Sequence, residues 1–435
     1  MSFTSKSSLF ALVCSGLLVA CEPQSSSVQS PVELEPIKLY QGQSLQPWQL
    51  VIKSHQEEQL VSGEITELAD GLVSLKRVDK DSTQDALLLN FKDSWSSGVY
   101  LKNGSVDLSQ YVAQGTVEFD LKVDAIQQGK VDLLVDCESN CKHAYRLREW
   151  AQEHEGQGWQ HLAIPLRCLV DNSANLTQVS QPFNLSTGGK GQVALANVLI
   201  KAHGNATMPC HSAMDLATTP DVLNEYWSVD WWMTRHEQKV AQANLGEAQL
   251  VMIGDSITHG WENDGKAVWD EHFGEINTLN LGYGGDRTEN VLWRLQHGEL
   301  GKTEPKLVVM MIGTNNTGHR MDSPEAIAAG VDKILYELKQ QVPEAKVLLL
   351  AIFPRDAKPD SLARINNSQA TALIQQLAKE QGLLFADFNA DFLSEDGTLT
   401  TQMMPDLLHP KAKGYEIWAQ QLTPFIEQYI RQSGQ

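Results

Sequence analysis

Basic residues are scarce in this chain. It carries 34 Lys and Arg against 54 Asp and Glu, a formal net charge of −20. That balance offers no footprint for the phosphates of nucleic acid and is unfavourable beside an anionic lipid surface. The leader offers no membrane span either. Its apolar run, Leu9 to Ala20, is too short to cross a bilayer as a helix, and behind Lys6 it reads as a targeting segment. Cysteine is sparse, six in all, and Cys14 and Cys21 belong to the leader. The other four, Cys137, Cys141, Cys168 and Cys210, lack the matched spacing and neighbouring histidines of a zinc site. No metal and no cofactor is therefore expected. An even number of cysteines in an exported chain favours disulfides. Cys137 and Cys141 flank the turn-like Glu138-Ser139-Asn140, which leaves Cys168 and Cys210 as a second pair, with the connectivity open.

What is present points to two folded regions. The 435 residues, 42% of them hydrophobic, leave room for two or three domains. Residues 22–36 are rich in Ser, Gln and Pro and read as a flexible tether. Apolar and polar residues alternate in Thr116-Val117-Glu118-Phe119-Asp120-Leu121-Lys122-Val123, and short runs at 133–135, 161–164 and 193–200 are similar. With Gly and Asn turns between them, residues 37–208 form an expected all-β sandwich or jelly roll. Trp95 and Tyr100 read there either as sugar-stacking aromatics or as ordinary core. Residues 209–223 read as a linker. From 224 to 432 strand and helix patterns alternate. Strands fit 249–254, 277–282, 307–312, 346–352 and 383–387; helices fit 263–273, 288–297, 323–341, 361–380 and 411–431. This predicts a flavodoxin-like α/β domain with a five-stranded parallel sheet, right-handed crossovers and helices on both faces.

The stretch Leu250-Val251-Met252-Ile253-Gly254-Asp255-Ser256 ends a buried strand with a hydroxyl, at the edge where open α/β sheets place their sites. Ser256 reads as a nucleophile or, equally, as a serine capping the next helix. A serine nucleophile needs a base. His409 is the candidate, with Asp406 three residues earlier to hold the other ring nitrogen; the bland reading is a capping Asp beside a surface His. An oxyanion needs preorganised donors. The backbone N–H of Ser256, the backbone N–H of Gly285 and the side-chain amide of Asn315 can serve, although Gly284-Gly285 also suits a plain turn and Asn315 a loop cap. His259, His272, His297 and His319 read as structural or rim residues, and Asp255 as structural. Trp261 and Arg355 are placed at the substrate pocket by their position.

Four blocks carry a family resemblance: Gly254-Asp255-Ser256, Asn280-Leu281-Gly282-Tyr283-Gly284-Gly285-Asp286-Arg287, Gly313-Thr314-Asn315-Asn316 and Asp406-Leu407-Leu408-His409-Pro410. Their order resembles the SGNH, or GDSL-type, hydrolases. Val291-Leu292-Trp293-Arg294-Leu295, Gly298-Glu299-Leu300, Pro305-Lys306, Phe353-Pro354-Arg355 and Lys358-Pro359 narrow it to the catalytic subunits of platelet-activating factor acetylhydrolase Ib. The resemblance covers roughly residues 224–432. It implies Ser256, His409 and Asp406 as catalytic residues, the same three oxyanion donors, and a homodimer. Ile257, where the usual motif has leucine, is a conservative departure. Gly158-Trp159-Gln160, Ile164-Pro165-Leu166-Arg167-Cys168 and Pro182-Phe183 resemble the galactose-binding-like β-sandwich appended to some bacterial family 3 glycoside hydrolases. Leu18-Val19-Ala20-Cys21 resembles a bacterial lipobox, which implies a signal peptide over residues 1–21 and lipidation at Cys21. Glu22 is not the aspartate of inner-membrane retention, so attachment to the outer membrane is expected, on a face left open.

Together these readings predict an exported, lipid-anchored serine esterase that removes short acyl groups, acetyl above all, from carbohydrate. One alternative keeps the chemistry and changes the substrate to a short-chain phospholipid or lysophospholipid ester. Another, a silent glycan-binding lipoprotein, predicts a missing catalytic residue, and none is missing. All four blocks follow Leu250, so the chemistry is expected to run without the sandwich.

Overall fold

A computed structural model describes residues 34–432, apart from 128–129, 138–143, 171–173, 224, 226 and 229. The leader, Cys21, Cys141 and the side chain of Trp95 lie outside the described residues.

The first region is an antiparallel β-sandwich held by two long strands that run through both of its sheets. Ala86–Lys102 pairs with Val73–Val78 along its first half and with Gln49–Lys53 along its second. Val179–Lys201 pairs with Val131–Cys137 up to Thr187 and with Thr116–Gln127 from Lys190 on. Where the long strands change sheets, their register slips on both sides of Gly189. Bulges of this kind bend and twist a strand. Gly98 lies at the same corner because a Cβ there would sit 2.3 Å from the Leu185 carbonyl oxygen. The alternation in Thr116–Gln127 places Val117, Phe119 and Leu121 in the core. Its polar partners are covered too: Glu118 pairs with Lys201 at 2.6 Å, and Asp120 with His161 at 2.8 Å. Tyr100 is core, its hydroxyl donating to Glu58. Cys168 and Cys210 form a disulfide. Cys137 is disulfide-bonded as well.

The second region is an α/β domain with a five-stranded parallel sheet. The strands run in the order Thr278–Gly282, Leu250–Gly254, Leu307–Met311, Lys346–Leu350, Leu384–Ala386. Each falls within two residues of its expected bounds. Both sheet faces are buried, one under the helices Thr288–Gln296, Pro324–Gln341 and Leu362–Gln381, the other under Lys266–Phe273 and Ala412–Ile426. Such double coverage is why these strands are mostly apolar rather than alternating. The last helix, Ala412–Ile426 with Pro424 inside it, continues as a π-helical turn over Glu427–Arg431, so the helical stretch matches its expected bounds to within a residue.

The segment read as a linker is folded. Ser212 and Asp215 form a capping box that starts the helix Ala213–Thr218, which packs on Thr288–Gln296 and Pro324–Gln341. The sandwich also reaches the second region directly. Arg146, from strand Tyr145–Arg146, pairs with Asp221 at 2.9 Å and with Glu289 at 3.1 Å. Arg148 lies 3.4 Å from Asp221 and stacks 5.9 Å over the Trp293 ring. Among the described residues no helix is long and apolar enough to cross a membrane.

Candidate active site

Ser256 opens the short helix Ser256–His259 directly after the strand Leu250–Gly254, at the carboxyl edge of the sheet. The capping role falls to Asp255, whose Oδ1 accepts the Ile257 N–H at 2.9 Å. The serine hydroxyl therefore points elsewhere: its Oγ lies 2.7 Å from His409 Nε2. Gly254 must be glycine, since a Cβ would fall 2.1 Å from Thr258 Oγ1. Two side chains fix the far end of the helix. Tyr415 donates its hydroxyl to the Ile257 carbonyl at 2.8 Å, and Asn280 donates to the Thr258 carbonyl at 3.0 Å. Burial pushes the Asp255 carboxyl up to about 6, against the pull of the Ile257 N–H and the His409 charge.

His409 and Asp406 share one tight turn. His409 Nδ1 is 2.6 Å from Asp406 Oδ2, while Asp406 Oδ1 accepts the backbone N–H groups of Leu408 and His409 at 3.1 and 2.8 Å. Leu407, between them, takes a left-handed φ of 60°. Both side chains meet solvent, His409 at 37% and Asp406 at 56% exposure. Partial burial opposes the Asp406 charge, but the His409 ring and the two backbone donors outweigh it and hold the carboxyl below its usual range. An ionised Asp406 accepts from Nδ1–H, which leaves Nε2 as the lone-pair nitrogen facing the serine hydroxyl.

In the other two loops Asn315 and Asp286 are buried and Gly285 is half-buried. Gly285 has a φ of 80°, and a Cβ there would strike the Trp227 ring at 1.9 Å. Asn315 is the second residue of helix Thr314–Arg320. Its amide donates to the Asp286 carbonyl at 3.0 Å, tying this loop to that of Gly285; one amide hydrogen remains for another acceptor. Beside the Gly285 loop lies the fully buried Arg294, which donates to Asp286 at 2.8 Å and pairs with Glu299. Trp232 Nε1 donates to the other Asp286 oxygen at 2.7 Å. Burial pushes Asp286 up to about 7; burial also opposes the Glu299 charge, but Arg294 outweighs it and holds that carboxyl below its usual range.

A cavity of about 480 Å³ opens beside Ser256, lined by His259, Asn263, Asp264, Asp406 and Lys411 among others. Lys411 reaches Asp264 at 2.7 Å. Burial, then the Arg235 charge, holds the His259 ring down to about 4, so it is neutral at higher pH. Trp261 does not line this cavity. It is 2% exposed, in ring contact with Trp269, Tyr415 and Trp418, so its place is the core. Arg355 does not line the cavity either: its Nη1 donates to the Thr314 carbonyl at 2.8 Å and braces the turn before Asn315. His272 pairs with Glu416, His297 stacks on Trp293, and His319 meets Arg287. Sequence reasoning missed Trp227, Tyr415 and Asn280. Only Asn280 had a signal, since it opens the block that ends in Gly285. Among the described residues no group of three or more His, Cys, Asp or Glu has the arrangement to hold a metal ion.

The model of a GDSL-like lipase/acylhydrolase family matches residues 252–417, and a galactose-binding domain-like model matches 46–200. Platelet-activating factor acetylhydrolase IB subunit alpha2 of Gallus gallus is 31% identical over 223 residues, 51% of this chain and 95% of the relative. Subunit alpha1 of Homo sapiens is 36% identical over 203 residues, 46% of this chain and 84% of the relative. Among solved structures, the extra C-terminal domain of an exo-1,3/1,4-beta-glucanase from a Pseudoalteromonas species aligns at a TM-score of 0.34 with 18% identity, over 39% of this chain and 94% of that one.

Proposed function

We propose a function from this premise: the chain belongs to the GDSL-like lipase/acylhydrolase family. It is a carboxylic ester hydrolase, and in our reading it removes short acyl groups, acetyl above all, from a carbohydrate. The observation that carries the mechanism is the unbroken relay from Asp406 through His409 to Ser256, with contacts of 2.6 and 2.7 Å. Ser256 Oγ attacks the ester carbonyl as His409 Nε2 takes its proton. The oxyanion is received by the N–H groups of Ser256 and Gly285 and the Asn315 amide. His409 returns the proton to the departing alcohol, leaving an acyl-serine. A water, deprotonated by the same nitrogen, then releases the acid and restores the hydroxyl.

A short acyl group is supported by the Trp227 ring closed over Gly285 and by the word acetylhydrolase in the names of the relatives. A polar alcohol is supported by the hydrogen-bonding groups around the cavity, and a sugar by the galactose-binding-like match of the sandwich. A second reading, the acetyl ester of a phospholipid, draws on the same relatives' names. The deciding measurement is acetate release by purified protein from acetylated glycans and from vesicles of an acetylated phospholipid. Release from vesicles alone would sink the carbohydrate reading; release from neither would sink both substrate assignments. Lipid attachment at Cys21 is part of the proposal, and palmitate labelling that survives Cys21→Ser would remove it.

A further inference from the structure

We propose that Arg146 of the β-sandwich is a positioning residue for ester hydrolysis, acting through Glu289 to set the loops that carry Gly285 and Asn315. The inference rests on the esterase reading above. Arg146 crosses between the two regions, and its Nη2 donates to Glu289 Oε1 at 3.1 Å. Glu289 is 0% exposed and is the second residue of helix Thr288–Gln296, in the segment that directly follows Gly285 and Asp286.

Both loops converge on this carboxylate. Arg287, two residues past Gly285, donates Nε to Glu289 Oε1 at 2.9 Å and meets His319 at 2.9 Å. Arg320 closes the helix that holds Asn315 in its first turn, and it pairs with Glu289 and with Asp322. Asn316, the neighbour of Asn315, accepts the Thr288 N–H at 3.0 Å and donates to Glu289 Oε2 at 3.4 Å and Asp322 at 3.0 Å. Two of the three guanidiniums on Glu289 thus come from the loops themselves and the third from another domain. Burial opposes the Glu289 charge, but the three arginines outweigh it and hold the carboxyl well below its usual range. The two loop arginines alone tie the loops to each other. The third, itself anchored on Asp221 at 2.9 Å, fixes where the carboxylate sits and hence where both loops sit.

Displacing an oxyanion donor is felt in the transition state and hardly at all in the bound ester, so the loss falls on kcat rather than KM. Arg148 supplies the comparison: it lies in the same interface, on Asp221 and Trp293, and none of its described contacts is with Glu289.

The experiment measures p-nitrophenyl acetate kinetics and thermal unfolding on the full chain. Arg146→Ala is expected to lower kcat by roughly 10–100-fold with KM unchanged, the scale of a misplaced catalytic group. Arg146→Lys should recover part of the rate, since one point charge can serve one carboxylate. Arg148→Ala should lower the Tm and keep the wild-type kcat. Combined with Asn315→Ala, Arg146→Ala should cost less than it does alone, because Asn315 is one of the two donors that Arg146 positions. A wild-type kcat in folded Arg146→Ala overturns the proposal, as does an equal kcat loss in Arg148→Ala or full additivity with Asn315→Ala. If Arg146→Ala does not fold, folded Arg146→Lys decides: a reduced kcat supports the proposal and a wild-type kcat overturns it. Failure of the wild type itself to hydrolyse the ester would instead strike the esterase reading and carry this proposal with it.

Discussion

The turn that carries His409 and the loops that carry Gly285 and Asn315 are held by different means. Asp406, Leu407, Leu408 and His409 are consecutive; the Asp406 and His409 side chains reach solvent while Leu407 and Leu408 rest on the core. The turn is fixed mostly by its own hydrogen bonds, with one more from the Asp356 N–H to the Leu407 carbonyl. The other two loops are tied to each other by Asn315 on Asp286, Asp286 itself is held by buried Arg294 with Glu299, and both loops are joined through buried Glu289 to arginines from three segments. The division suits the chemistry. A base exchanges protons with water in each cycle and gains from solvent. An oxyanion donor works through being in place beforehand, and charged groups fix a loop firmly only where water cannot screen them. One half of the site should therefore be separable from stability, and the other should not.

The largest effect expected is on chemistry alone. Ser256→Ala should lower p-nitrophenyl acetate hydrolysis by at least about 10³-fold while the far-UV spectrum and Tm stay at wild-type values; substantial turnover in the folded variant would take Ser256 out of the mechanism. Asp406→Asn should come next, at roughly 10²–10⁴-fold in kcat, again with an unchanged Tm because the side chain is exposed. A large drop in Tm would mean that the exposed turn is structural after all. Arg294→Met tests the buried half from the other side. It strands Asp286 and Glu299 without their partner, and urea unfolding should register a loss of about 3–5 kcal/mol; a loss under about 1 kcal/mol would show that the buried ions are not what holds these loops.

The smallest effect is on acid stability. The folded-state pKa of Glu289 lies below its unfolded value near 4.3. Its contribution to stability is therefore complete above about pH 4.3 and is lost as the pH falls further toward the depressed value. Glu289→Gln should be less stable than wild type at pH 7, and the gap should narrow steadily below about pH 4.3. A gap that stays constant down to about pH 3 would contradict the ionised carboxylate.

Much of this was legible in the sequence because it is locally encoded. The run Leu250–Ile253 stops at Gly254, and Ser323-Pro324 starts its helix where an N-cap followed by proline should. The relay residues stand in short blocks, so their meeting could be anticipated. The connector helix is legible too, since Ser212 and Asp215 have capping-box spacing. Arg146 and Glu289 are 143 residues apart, and no local pattern links an arginine at the end of one strand to a glutamate in a distant helix. Trp261 was misplaced because nearness in sequence to Ser256 says little about direction: the 3₁₀ turn Gly260–Glu262 carries its ring into the core.

Leu407 has a further consequence, for anyone who would make this protein withstand heat. A leucine in the left-handed region costs roughly 1–2 kcal/mol that glycine would not, so Leu407→Gly looks like an easy gain in thermal tolerance. The same replacement frees the backbone between Asp406 and His409 to wander among many shapes. The leucine side chain also packs against the core, and losing that burial offsets the relieved strain. Turnover should therefore fall with no rise in melting temperature, and Leu407 marks a place where durability and catalytic power draw on one residue.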